Sequence, residues 1–123
     1  MLKLFEVSGF KNFKDKITLD FTNVCDYKFN RACINNNYLS KIIVYGKNSI
    51  GKSNFGLAMF DIVSHLSSKN VIPGLYDYYL NANSLSNYAE FHYTFQFDNQ
   101  KVDYKYRKDS KQMLIYEHVS IDG

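Results

Sequence analysis

The chain has 123 residues, of which 46% are hydrophobic and 22% charged, so it holds one domain at most, with enough apolar surface for one core. No apolar run approaches the ~20 residues that span a bilayer, and the early charges of the alternating start MLKLFEVSGF exclude a signal peptide. The net charge of +3 is too mild to carry nucleic-acid binding by itself, and eleven Tyr and ten Phe with no Trp favour β structure.

In chain order, residues 2–8 read as a strand, with Leu2, Leu4 and Val7 against Lys3 and Glu6 and with Phe5 blurring the two faces. Ile17, Leu19 and Phe21 alternate with Thr18, Asp20 and Thr22, which predicts a half-buried strand antiparallel to the first. Residues 23–38 are polar and irregular and read as a loop. Cys25 and Cys33 lie in it; they form no zinc pattern or disulfide framework, and reduced cytosolic thiols are expected. The run Lys41-Ile42-Ile43-Val44-Tyr45 suits a buried central strand. Phe55, Ala58, Met59, Ile62, Val63 and Leu66 then fall on one face of a helix that ends before Pro73-Gly74. Residues 75–90 fit a short helix or a loop. Three alternating segments follow, 91–97, 102–106 and 113–121, with turns at 98–101 and 108–111, and predict an antiparallel meander. The basic run 105–111 reads as a solvated hairpin edge, with a nucleic-acid contact as the alternative, and His65, His92 and His118 as ordinary surface or half-buried residues.

Between the expected central strand and the helix stands Gly46-Lys47-Asn48-Ser49-Ile50-Gly51-Lys52-Ser53, a G-x-x-x-x-G-K-S loop. Gly46 permits the sharp exit from a strand. Backbone N–H groups from Asn48 through Ser49, Ile50 and Gly51 to Ser53 can wrap a β-phosphate, and Gly51 lets the chain approach closely. Lys52 reaches the β- and γ-phosphates as a point charge, and the Ser53 hydroxyl joins a Mg²⁺ shell. A helix starting near Lys52 adds its N-terminal dipole. The pattern therefore predicts a nucleoside polyphosphate with Mg²⁺ as the cofactor pair and does not select the base.

Hydrolysis needs a further carboxylate and a group that positions water. Asp61 falls within the helix and Asp20 on a solvent-facing position of its strand. Glu117, after the largely apolar 113–116, is the remaining candidate, and on a meander strand it reads as an exposed residue.

Phe10-Lys11-Asn12-Phe13, Leu19-Asp20-Phe21 and the loop from Gly46 through Asn48 to Ser53 and Asn54 together resemble the amino-terminal lobe of ABC-type ATPase heads of the RecF, SMC and OLD group. The resemblance covers nearly the whole chain and the first part of the family's head. It implies an α/β fold, a P-loop N-lobe with a central strand, loop and helix beside a mainly antiparallel sheet. It implies ATP over other nucleotides, cofactor contacts from Asn48 and Asn54, a cytoplasmic protein and head-to-head dimers that complete two nucleotide sites. It also implies DNA or RNA as partners of the full-length protein, in some members as antiphage systems. The family's Q-loop, signature segment, Walker B strand and switch histidine have no counterpart here, so residues 1–123 are expected to be part of a longer ATPase and inactive alone. Two other readings stay open. A self-contained P-loop kinase or GTPase lacks an Asn-Lys-x-Asp segment and an Arg-rich lid, since only Arg31 and Arg107 are present. A nucleic-acid module with a vestigial loop would bind in a salt-dependent way without nucleotide.

Overall fold

A computed structural model of the chain describes residues 1–22, 34–35, 38–39, 52–67 and 79–122. The strands are β1 (Leu2–Ser8), β2 (Ile17–Asp20), β3 (Ile34–Asn35), β4 (Tyr38–Leu39), β5 (Ala89–Phe97), β6 (Gln100–Lys108) and β7 (Leu114–Asp122), with one helix, α1 (Lys52–Ser67). Among the described residues β3 and β4 form a separate two-stranded sheet. The other five form a single sheet in the order β2-β1-β5-β6-β7, and every pairing is antiparallel.

The antiparallel order follows from the connections. β5 and β6 are joined by the tight turn at Asp98-Asn99, where Asp98 takes a left-handed φ of 51° that its short polar side chain tolerates. Turns of this length can only join antiparallel neighbours, whereas a parallel pair needs a long crossover. The meander and the β1–β2 pair stand as expected, with β2 ending at Asp20 rather than Thr22.

The expected α/β class is overturned. The described residues form a five-stranded antiparallel sheet with one helix on one face, not a lobe built on a central strand that feeds a loop and helix. The run 41–45 and the loop residues 46–51 lie outside the described residues. The alternating aromatic segments carry the fold, because they pair along their length with neighbouring strands.

Those aromatics make the core. In register, Val7 lies opposite Phe91 and Phe91 opposite Tyr106, while Phe5 lies opposite Tyr93 and Tyr93 opposite Tyr104. The rings of Phe91 and Tyr106 stack with centroids 5.1 Å apart, and Phe5 meets Tyr93 at 5.0 Å. Phe5 thus faces inward with Val7, and Leu4 shares the opposite face with Glu6. α1 lies across this aromatic face. Ala58, the fully buried small residue of the helix, lets it come close enough for the Tyr93 hydroxyl to donate to the Ala58 carbonyl at 3.0 Å.

The helix buries most of the face its apolar periodicity marks, with Ala58 in the core and Phe55, Met59 and Ile62 packed against it, but its last turns depart from that face. Asp61 is buried at 2% exposure, while Val63 and Leu66 are 57% and 66% exposed. Toward the end of the helix the inward side runs through Ala58, Asp61, Ile62 and His65, so that Asp61 and His65 take the places expected of Val63 and Leu66. Of residues 75–90, the described part, 79–88, is irregular. It braces the β1–β2 connection, with Lys11 N–H donating to Tyr79 O and Asn81 N–H to Gly9 O, both at 2.9 Å. No helix among the described residues is long and apolar enough to cross a membrane.

Candidate functional site

Of the residues singled out for phosphate binding, Gly46, Asn48, Ser49, Ile50 and Gly51 lie outside the described residues. Lys52, Ser53 and Asn54 open α1, as the motif requires. Lys52 and Asn54 are half-buried and Ser53 is exposed. The side-chain amide of Asn54 donates to Asn12 Oδ1 at 2.9 Å, which ties the start of the helix to the β1–β2 connection. Phe55 fixes the same turn from below by edge contacts with Phe5 at 6.0 Å and Phe13 at 6.4 Å. The first turn of α1 carries no acidic residue. A lysine there opposes the helix dipole, and a bound anion would complement both.

Glu117 stands at the other end of α1. It accepts a hydrogen bond from the Tyr104 hydroxyl at 2.7 Å and lies 3.7 Å from His65 Nε2. At the helical rise per residue, His65 is about 20 Å along the axis from Lys52.

Sequence reasoning missed Asp61, the most buried charged residue among those described. Asp61 accepts from the Tyr79 hydroxyl at 3.0 Å, the Tyr106 hydroxyl at 2.7 Å and Lys108 Nζ at 3.1 Å. Lys108, expected on a solvated edge, is only 6% exposed, and Arg107 lies over the rings of Tyr88 and Tyr116. The available signal was an acid at the third position after Ala58 and the fourth before His65, on one helix face with both. Burial pushes the Tyr106 hydroxyl far above its usual range, helped by neighbouring Tyr93 and Asp61, so it stays a donor. His65 stacks on Tyr106 at 4.3 Å. Burial and the charge of Lys108 hold its imidazole below the usual range, against the pull of Asp61 and Glu117. Because Tyr104 gives its proton to Glu117, the neutral His65 ring must carry its proton on Nε2 and donate to Tyr104 at 2.8 Å.

On the opposite face of the sheet His92 stands between two carboxylates, with Nδ1 2.9 Å from Glu6 and Nε2 3.2 Å from Asp103. Burial opposes the charge on Glu6, but hydrogen bonds from His92 and Thr18 and the charges of Lys16 and His92 outweigh it, so its pKa is lowered. Asp103 is lowered in the same way, burial being outweighed by Thr94, His92 and Lys101. Depressed carboxylate pKa values stabilise the fold above the unfolded values of about 4, and that contribution is lost as the pH falls through the folded values. The urea midpoint should therefore drop steeply below about pH 4, and more gently in a Glu6→Gln/Asp103→Asn double variant. Equal slopes would refute the assignment. Among the described residues no group of three or more His, Cys, Asp or Glu could hold a metal ion.

The chain matches no protein-family model, and no curated protein matches its sequence.

Proposed function

We propose that this chain binds ATP–Mg²⁺ through the loop 46–53, as the nucleotide-holding part of a RecF/SMC/OLD-like ATPase. The observation that carries the reading is the placement of Lys52, Ser53 and Asn54. The G-x-x-x-x-G-K-S letters run into a helix that begins at Lys52, with no acid in its first turn to compete for the anion. Lys52 would meet the β- and γ-phosphates. Ser53, exposed on the first turn, would offer its hydroxyl to Mg²⁺. The metal, when bound, neutralises phosphate charge; Asn12 meanwhile steadies Asn54 at the helix start. Turnover is expected only where a Walker B carboxylate, a signature segment and a second head complete the site.

Equilibrium titration with ATP and Mg²⁺ tests the proposal. Lys52→Ala removes a charge-assisted contact and should weaken binding about 10- to 100-fold, with the unfolding midpoint little changed. Unchanged affinity would show that the loop does not hold the phosphates.

A further inference from the structure

Asn54 follows Lys52 and Ser53 directly, yet its side chain is committed in another direction. It heads the inward stripe of α1, since Ala58, Asp61, Ile62 and His65 come at i+4, i+7, i+8 and i+11 from it. Lys52 and Ser53 lie off that stripe. On the inward side the Asn54 amide donates to Asn12 Oδ1 at 2.9 Å, across 42 residues of chain. One residue further along both segments, the rings of Phe55 and Phe13 meet edge to face at 6.4 Å. The two contacts run side by side and constrain different things. Ring pairs hold over a broad range of angles, whereas a hydrogen bond weakens steeply off its line. The Asn12–Asn54 bond therefore sets the register of the helix start, which the ring contact leaves loose.

The connection that carries Asn12 is itself held firmly. Phe10 is fully buried, and Phe13 N–H donates to Phe10 O at 2.8 Å. Lys11 N–H donates to Tyr79 O at 2.9 Å, and the Asn81 amide donates to Lys11 O at 2.6 Å. Lys11 takes a left-handed φ of 48°, which a non-glycine residue with a long side chain rarely adopts. Such a backbone persists only where its surroundings over-determine it, and residues of this kind cluster at ligand sites. This one stands immediately before Asn12.

We propose that Asn12 and Asn54 are positioning residues of the phosphate site: their bond fixes the first turn of α1, and with it Lys52 and Ser53, and neither side chain touches the nucleotide. The role presupposes the nucleotide reading, and it removes Asn54 from the direct contacts that the family resemblance implies. Affinities for ATP–Mg²⁺ and for pyrophosphate–Mg²⁺ are the measurements, on protein whose circular dichroism spectrum is unchanged. Asn12→Ala and Asn54→Ala should each weaken both ligands about 2- to 10-fold, the range of one hydrogen bond. The double variant should lose no more than either single one, because each already breaks the same bond. A direct contact from Asn54 would survive Asn12→Ala, and the two losses would then multiply. A contact from Asn12 to base or ribose would weaken ATP and spare pyrophosphate. Multiplied losses, a loss confined to ATP, or unchanged affinity in Asn12→Ala would each overturn the proposal while Lys52→Ala still weakens binding. If Lys52→Ala changes nothing, the nucleotide reading fails and the positioning role falls with it.

Discussion

Asp61→Ala is expected to cost about 3–5 kcal/mol, a large share of the roughly 5–15 kcal/mol that holds a small domain folded. The methylenes lost are few; the cost lies in what stays behind. Lys108 would keep an ammonium in a nearly closed site without its carboxylate at 3.1 Å, and the Tyr79 and Tyr106 hydroxyls would lose their acceptor. Urea denaturation with the slope monitored gives the number. Asp61→Ala/Lys108→Met should cost less than the sum of its two single changes, because removing both charges leaves none stranded. Additive costs would mean that the two residues do not form one unit, and an unchanged midpoint for Asp61→Ala would mean that the site is wet.

The same residue explains which parts of the fold the sequence discloses. Period-two alternation is a local property, so β1, β2 and the meander β5–β6–β7 are legible from their own letters. The extent of α1 is legible for the same reason, since Phe55 to Leu66 keep helical spacing. Its inward face is legible at Phe55, Ala58, Met59 and Ile62 but not in its last turns. Asp61 faces inward because Tyr79, Tyr106 and Lys108, distant in sequence, converge on it, and this turns Val63 and Leu66 toward solvent. A charge count likewise reads 105–111 as a solvated edge, yet Lys108 is buried as the counter-ion of Asp61. The loop motif tells of chemistry rather than architecture: it predicts a helix beginning near Lys52, which α1 does, but not the antiparallel sheet beneath it. The Asn12–Asn54 bond was open only in hindsight, as two amides in motifs far apart in the chain.

Gly9→Ala should be the other costly single change, and it bears on the candidate site as well as on stability. Gly9 takes a φ of +70°, and a Cβ built there would lie 2.6 Å from the backbone carbonyl oxygen of Tyr88. The left-handed backbone alone makes a side chain cost about 1–3 kcal/mol. The clash adds to this, since a carbonyl oxygen just ahead of β5 cannot swing away as a flexible side chain would. Gly56→Ala supplies the opposite sign within the same chain. A Cβ there meets nothing within 4 Å, and α1 would gain about 0.5–1 kcal/mol from losing a mid-helix glycine. If the two alanines shift the urea midpoint in the same direction, the close approach at Tyr88 is not present in solution. The consequence reaches further along the chain. Gly9 also accepts from Asn81 N–H, whose side chain bonds the Lys11 carbonyl at 2.6 Å, and Asn12 follows with its bond to Asn54. Displacing Gly9 therefore loosens the support beneath the start of α1. In protein that remains folded, Gly9→Ala should weaken ATP–Mg²⁺ binding while Gly56→Ala leaves it alone, because only the former moves the connection on which the helix start rests.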